Sequence, residues 1–138
     1  MKLTISLALA LLFILPVLSS CVTSHDINLD VSADRFASAA YANSDVTAEI
    51  GDKIRIRLVA NHSTGFEWSY RISEGNVLKE EDHDFEEPTS GVAGAAGVEV
   101  FTFEASAQGS AELRMEYGQP WEGGKKAQWT YTVAVTVE

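Results

Sequence analysis

The sequence contains little cysteine and little positive charge, and each shortage excludes a class of protein. Only one of its 138 residues is Cys, so no disulfide can form within the chain and a cysteine-rich zinc site is excluded. Ten Lys and Arg residues stand against 20 Asp and Glu residues, which gives a net charge of −10. Because phosphates attract clustered basic residues, this balance predicts a protein that binds no nucleic acid.

Sustained helical spacing of apolar residues is absent too, and an alternating spacing takes its place. Alternation predicts strands with one buried and one solvated face. The clearest alternating sets are Ile54, Ile56 and Leu58; Phe66, Trp68 and Tyr70; Ala111, Leu113, Met115 and Tyr117; and Trp129, Tyr131, Val133, Val135 and Val137. We therefore predict an all-β, immunoglobulin-like β-sandwich of about seven antiparallel strands, with Trp68 and Trp129 in its core.

The first 20 residues have the composition of a cleaved secretory signal. Lys2 is followed by an apolar run over residues 3–18, which Pro16 interrupts and which is shorter than the about 20 apolar residues of a membrane-spanning helix. The next residues, Leu18-Ser19-Ser20-Cys21, resemble the bacterial lipobox, which implies cleavage before Cys21 and its acylation. We expect a lipid anchor on the cell envelope and, in a host with two membranes, on the outer membrane facing the periplasm.

The mature chain divides into two predicted parts. Residues 21–43 form the lipidated N-terminus and a first strand near residues 26–32, which is followed by a loop that contains residues 37–40. Residues 44–138 form the main domain, whose sandwich also includes that first strand. We expect a monomer.

Three segments between the predicted strands are unusual. The first is Asn61-His62-Ser63-Thr64-Gly65-Phe66-Glu67-Trp68, the second covers residues 88–98 with glycine at every third position, and the third covers residues 117–124. In an immunoglobulin-like sandwich, the connections after the second, fourth and sixth strands emerge at the same end. We therefore expect these three segments to lie side by side.

In this order and spacing, the segments resemble the hallmark loops of the chagasin-type inhibitors of papain-like cysteine peptidases. NHSTGFEW resembles the family's NPTTG(F/Y)xW loop, GVAGAAGVEVFTF its glycine-rich loop and GQPW its RPW loop, within a similarity that covers residues 46–138. The resemblance implies a proteinaceous inhibitor whose three loops fill the active-site cleft of a papain-like cysteine protease, reversibly and competitively. The implied protease-binding residues are Asn61, His62, Ser63, Thr64, Gly65, Phe66, Gly91, Gly94, Gly97, Gln119, Pro120 and Trp121.

The chain departs from the family's loops at three positions. His62 stands where the family has Pro, Ser63 where it usually has Thr, and Gln119 where it usually has Arg. Without the fixed φ angle of Pro, the first loop is expected to be less preorganised, which lowers affinity. Without the Arg, a charge-assisted or loop-bracing contact is lost.

The remaining reactive side chains do not suggest an enzyme. The acidic stretch over residues 80–87 includes His83, but its carboxylates define no metal geometry, so we predict a solvated edge strand or loop with Phe85 pointing inward. The three histidines, His25, His62 and His83, have no motif partners, and no nucleophile lies beside a base. We expect no catalytic residues, no metal and no cofactor.

Two other functions are compatible with the same residues. A non-inhibitory immunoglobulin-like envelope lipoprotein could bind a carbohydrate or a protein partner, with Trp121 stacking on the ligand and the acidic stretch binding calcium. A purely structural surface lipoprotein would use none of the three loops.

Overall fold

Eight β-strands and two short 3₁₀ turns make up residues 23–138, which are the residues that this computed structural model describes. The predicted signal peptide and Cys21 lie outside the described residues. The strands are β1 (Asp26–Val31), β2 (Tyr41–Ala48), β3 (Lys53–Ala60), β4 (Glu67–Ile72), β5 (Leu78–Glu86), β6 (Gly97–Ala105), β7 (Gly109–Gly118) and β8 (Trp129–Val137), and the 3₁₀ turns are Ala33–Phe36 and His62–Thr64.

The strands form two sheets of four, which pack face to face. One sheet has the order β1-β3-β6-β5 and the other the order β2-β8-β7-β4. The alternating residues of the sequence form the core between them: Ile56 of β3, Leu113 of β7 and Val133 of β8 are completely buried. Trp68 is buried, and Trp129 is partly buried and packs against the core. The predicted β-sandwich is therefore confirmed.

Strand number and direction differ from the prediction. Residues 23–138 contain eight strands where about seven were predicted, because Tyr41–Ala48 forms a strand outside the alternating sets of the sequence. The sheets are mixed and not purely antiparallel, since β1 pairs in parallel with β3 and β2 pairs in parallel with β8. Alternation shows which face a side chain occupies but carries no information on strand direction.

The strand register brings three connections to one end of the sandwich, which we call the loop end. Ala60 at the end of β3 pairs with Gly97 at the start of β6, and Tyr117 near the end of β7 pairs with Trp129 at the start of β8. The first loop (residues 61–66), the second loop (residues 87–96) and the third loop (residues 119–128) therefore leave the sheets together. No helix within residues 23–138 is long and apolar enough to cross a membrane.

Asp52 organises the opposite end, where the chain turns from β2 into β3. This side chain is buried, and its carboxylate accepts the backbone N–H of His25 at 2.7 Å and that of Glu49 at 2.9 Å. These two hydrogen bonds, first that of Glu49, hold the pKa of Asp52 below its ordinary value. The charged carboxylate thus joins the start of β1 to the β2–β3 turn.

Protonation of Asp52 is expected to destabilise the fold in acid. Because its pKa is lower in the folded than in the unfolded state, its stabilising contribution is complete above about pH 4 and is lost as the pH falls further. Asp52→Asn should lower the free energy of unfolding at pH 7 and flatten its decline below about pH 4, as measured by urea denaturation.

The matched control is Asp45→Asn, which changes an exposed carboxylate in β2 and should leave the wild-type pH profile unchanged. If the free energy of unfolding of Asp52→Asn falls in acid as steeply as that of wild type, protonation of Asp52 is not what destabilises the fold.

Candidate functional site

Asn61 shapes the first loop through its own hydrogen bonds. Its Oδ1 atom accepts the backbone N–H of Ser63 at 3.2 Å and the Ser63 hydroxyl at 2.6 Å. Its carbonyl oxygen accepts the Thr64 hydroxyl at 2.6 Å, and Gly65 ends the turn with a φ of 74°. Only glycine adopts this left-handed conformation without strain. The exposed residues 62–64 are therefore held as a 3₁₀ turn.

The same asparagine fastens the first loop to the second loop and to the core. Its Nδ2 atom donates to the carbonyl of Gly94 at 2.9 Å, and its backbone N–H donates to the Tyr117 hydroxyl at 2.7 Å. Tyr117 is buried, and this burial raises the pKa of its phenol. Through its side chain and its backbone N–H, Asn61 thus couples the first loop to the second loop and to Tyr117 of β7.

Five aromatic rings form a floor beneath the first loop. Trp129 stacks on Phe36 at a centroid distance of 5.0 Å and on Tyr117 at 5.1 Å. Trp68 lies 5.1 Å and Phe66 lies 5.3 Å from Tyr117. Because close-packed rings resist deformation, the loop rests on a stiff base. Phe66, which the resemblance assigns to protease binding, is one of these five rings and is partly buried.

Gln119 and Lys126 brace the third loop. The Gln119 backbone N–H donates to the Lys125 carbonyl at 2.7 Å, and its side-chain Oε1 accepts the Lys125 N–H at 3.0 Å. Its Nε2 reaches the carbonyl of Thr64 at 3.5 Å. Lys126 Nζ donates to the carbonyls of Gln119 and Trp121. Gln119 therefore keeps a bracing role, and the positive charge at this site comes from Lys126, which the sequence analysis missed.

Trp121 lies at the surface of the third loop, next to the first loop. It is 50% exposed, and a Cβ atom added at Gly65 would collide with its six-membered ring. The indole therefore lies directly on the Gly65 backbone, with Pro120 exposed before it. Glycine at position 65 is required both by its φ angle and by this contact.

The three glycines that the sequence places in the second segment fall into two groups in the structure. Gly91 and Gly94 are exposed, with φ angles of 63° and 78°, and a Cβ at either would meet nothing within 4 Å. Gly97 instead is the buried first residue of β6, where a Cβ would lie 2.5 Å from Cζ of Phe85. The structure thus brings Gly91 and Gly94 to the loop surface and uses Gly97 for packing between strands.

Glu99 is a site residue that the sequence analysis did not identify. It is 1% exposed, and its carboxylate accepts from His62 Nε2 at 2.8 Å, from His83 Nε2 at 3.2 Å and from the Trp68 backbone N–H at 3.1 Å. His62 and His83, for which the sequence offers no motif partner, thus share one buried carboxylate. A detectable signal existed, because Glu99 has the same strand parity as the core residue Phe101.

The acidic stretch forms the edge strand β5, as predicted. Glu81 pairs with Lys53 at 2.9 Å, and Glu86 pairs with Arg57 through two contacts of 2.6 and 2.7 Å. The hydrogen bond to Arg57 lowers the pKa of Glu86. Phe85 packs against the core. Within residues 23–138, no group of three or more His, Cys, Asp and Glu residues could hold a metal ion.

The sequence model described as "Chagasin family peptidase inhibitor I42" matches residues 47–135. The chain belongs to the chagasin family. This membership agrees with the expectation that the protein is not an enzyme, since the family consists of inhibitors.

Two relatives show how far this chagasin-family chain has diverged. Chagasin of Trypanosoma cruzi is 26% identical over 98 residues, which cover 68% of this chain and 89% of chagasin. Amoebiasin-2 of Entamoeba histolytica is 28% identical over 87 residues, which cover 62% of this chain and 71% of the relative.

Solved structures confirm the chagasin-type immunoglobulin-like fold. The cysteine protease inhibitor EhICP2 of Entamoeba histolytica superposes with a TM-score of 0.69 at 20% identity, covering 83% of this chain and 97% of EhICP2. PbICP-C, solved in complex with falcipain-2, has a TM-score of 0.58 at 12% identity, covering 81% of this chain and 99% of the matched one.

Gly65→Ala tests the contact between the first and third loops. Alanine at a φ of 74° costs about 1–2 kcal/mol of unfolding free energy, and its methyl group must also displace the Trp121 ring. We expect a loss of stability in chemical denaturation together with a shift in tryptophan fluorescence.

Gly91→Ala is the matched control, because its φ is also positive but the space around it is open. It should lose comparable stability without the fluorescence shift. Unchanged emission in Gly65→Ala would refute the packing of Trp121 on Gly65.

Proposed function

We propose that the protein is a reversible, competitive inhibitor of papain-like cysteine proteases that inserts its three loops into the active-site cleft. The observation that carries this proposal is the linkage of the loops at one end of the sandwich. Asn61 binds Gly94 across the first and second loops, and Trp121 lies on Gly65 across the third and first. A linked edge of this kind can enter a cleft with little loss of conformational entropy.

The target class is supported by the relatives. EhICP2 is a cysteine protease inhibitor, and PbICP-C forms a complex with falcipain-2. The family match over residues 47–135 includes all three loops.

The first loop is suited to occupy a protease cleft without being cut. Cleavage needs a peptide bond that is aligned with the nucleophile, and proteases hold their substrates extended for this purpose. Ser63 and Thr64 are instead fixed in a 3₁₀ turn by the side chain and carbonyl of Asn61. Their small side chains allow close approach of the backbone. Extension of the loop would break these hydrogen bonds, so binding without turnover is favoured.

Trp121 is the proposed main contact of the third loop. Half of its surface is accessible, while Gly65 supports one side of the ring and Lys126 holds its carbonyl at 2.8 Å. A large aromatic side chain with restricted motion is typical of the residues that dominate binding energy at interfaces.

The charge of the protein favours one kind of enzyme surface. The net charge is −10, and the exposed Asp82 and Asp84 lie on β5, which leads into the second loop. Such a field speeds association with a protease whose cleft has a basic rim, and added salt weakens this steering.

An inhibition assay tests the proposed function directly. Residues 22–138, which contain all eight strands, should inhibit papain-like enzymes of several specificities competitively and remain uncleaved. Trp121→Ala should raise the inhibition constant by about five- to thirtyfold, corresponding to about 1–2 kcal/mol.

Ile50→Ala is the control, since this side chain is equally exposed but lies at the opposite end of the sandwich. Lack of inhibition by the folded wild-type protein at micromolar concentration would reject the proposal and favour a loop-mediated carbohydrate or protein binder.

We further propose that Cys21 carries a lipid that anchors the inhibitor on the cell envelope. The support is the match of residues 18–21 to the lipobox after a short apolar run. Several acyl chains make such anchoring effectively permanent. The full chain expressed in a bacterium should enter the membrane fraction and incorporate labelled fatty acid. Cys21→Ser should do neither, and a labelled Cys21→Ser protein would disprove this attachment site.

A further inference from the structure

Two lysines stand next to each other in the third loop and make different contacts. Lys125 contributes its backbone, whose N–H donates to Oε1 of Gln119 and whose carbonyl accepts the Gln119 N–H. Lys126 contributes its side chain, which donates to the carbonyl of Gln119 and, at 2.8 Å, to the carbonyl of Trp121. The side chain of Lys126 thus ties the end of the third loop to its beginning.

The ammonium group of Lys126 binds neutral carbonyl groups although carboxylates lie close to it. Glu67 and Glu116 line the same groove as Lys126, next to β4 and β7. Within residues 23–138, however, Lys126 pairs with no carboxylate, and Glu116 pairs with Arg114 at 2.9 Å. An ammonium group offers three donors, and hydrogen bonds from a charged donor are about twice as strong as neutral ones. One side chain can therefore hold two backbone carbonyls of the loop together.

Ala127, which follows Lys126, has a strained backbone. Its φ angle is 46°, and it is the one residue other than glycine with a positive φ within residues 23–138. This left-handed conformation is unfavourable for alanine, so the surrounding contacts must hold it. They are the hydrogen bond from the Gln128 N–H to the Tyr117 carbonyl, at 2.7 Å, and the two hydrogen bonds of Lys126. Backbone strain of this kind is found where a structure holds a functional residue in place.

Gly124 lets the two arms of the third loop approach closely. A Cβ atom added there would lie 2.7 Å from Cβ of Gln119 and 3.0 Å from Nε1 of Trp121. The Gly124 N–H also donates to the Trp121 carbonyl, at 3.1 Å. This carbonyl therefore accepts from Gly124 and from Lys126, and the two donors together fix the backbone of Trp121.

The Trp121 ring depends on this backbone for its position. One part of the ring lies on Gly65 of the first loop, and half of the side chain is exposed. Gly65 has no side chain that could hold the ring, so the contact lasts only while the backbone at residue 121 stays in place. Movement of the Trp121 carbonyl would carry the ring away from the first loop.

We propose that Lys126 is a positioning residue of the third loop, which holds the Trp121 ring on Gly65 in the place where the ring meets the protease. The inference rests on the proposed inhibitory function. Lys126 acts through Trp121 and needs no contact with the enzyme. Because the loop is ordered before binding, less conformational entropy is lost when the complex forms.

Lys126→Met tests this role, since it removes the ammonium group and keeps a long side chain. It should raise the inhibition constant against a papain-like enzyme by about three- to tenfold. The loss is smaller than that expected for Trp121→Ala, because the ring remains and only its order is reduced. Lys126→Arg restores a charged donor and should recover most of the loss.

Lys125→Met is the matched control. It makes the same change of charge in the neighbouring residue, whose hydrogen bonds within residues 23–138 involve its backbone alone. It should inhibit as well as wild type, and urea denaturation should show that both variants are folded. An equal loss of inhibition in Lys125→Met and Lys126→Met would overturn the proposal, because net charge would then explain the effect.

A double-mutant cycle separates positioning from direct contact. If Lys126 acts through Trp121, adding Lys126→Met to Trp121→Ala should change the inhibition constant by less than about twofold. A further three- to tenfold loss in the Trp121→Ala background would show that Lys126 binds the enzyme itself, and the positioning role would be rejected.

A last readout does not depend on inhibition. The heteronuclear ¹H–¹⁵N NOE of the Trp121 indole N–H in the free protein should fall in Lys126→Met and keep the wild-type value in Lys125→Met. The Trp121 signal is identified by its loss in Trp121→Ala. If wild type inhibits no enzyme while the NOE falls as expected, the positioning role stands and the proposed function fails. An unchanged NOE in Lys126→Met would reject the positioning role itself.

Discussion

Every strand of the sandwich must bury one of its two faces, and the loop end depends on this constraint. On β6, the buried face carries Phe101 and Phe103, which supply apolar surface, but it also carries Glu99. The hydrophobic effect that orders the sheets thereby carries a carboxylate into the interior. The first loop supplies one of its three donors, His62, beside His83 and the Trp68 backbone N–H. The packing of β6 in the core is therefore linked to the position of the first loop through the contact between Glu99 and His62.

Each of the three loops reaches its rigidity by different means. The first loop uses the hydrogen bonds of Asn61, the third uses Gln119 and Lys126, and the second is tied through the carbonyl of Gly94. Two of the three departures from the family's loops, His62 and Gln119, are accompanied by contacts that brace the loops. His62 exchanges a fixed backbone angle for a side-chain anchor, and the charge expected at residue 119 is supplied by a lysine seven residues later.

Much of this architecture follows from alternation and from the loop motifs, and the exceptions have specific causes. β2 was missed because its inner face carries small residues and Ser44, whose hydroxyl accepts from Tyr131 at 2.8 Å and so needs no apolar surface. The direction of a strand cannot be read from the alternation of its buried and exposed side chains. The two histidine partners of Glu99 lie 37 and 16 residues away in the chain, and His83 lies on the same face as Glu99 only because of the bulge in β5.

The chain enters the sandwich at the end that Asp52 organises, with His25 beside it, while the three loops leave from the other. Strands of eight residues separate these ends by about 26 Å. Residue 23, where the described part of the chain begins, therefore lies on the far side of the domain from Trp121. An attachment made close to this residue would leave all three loops open to an enzyme that approaches from solution.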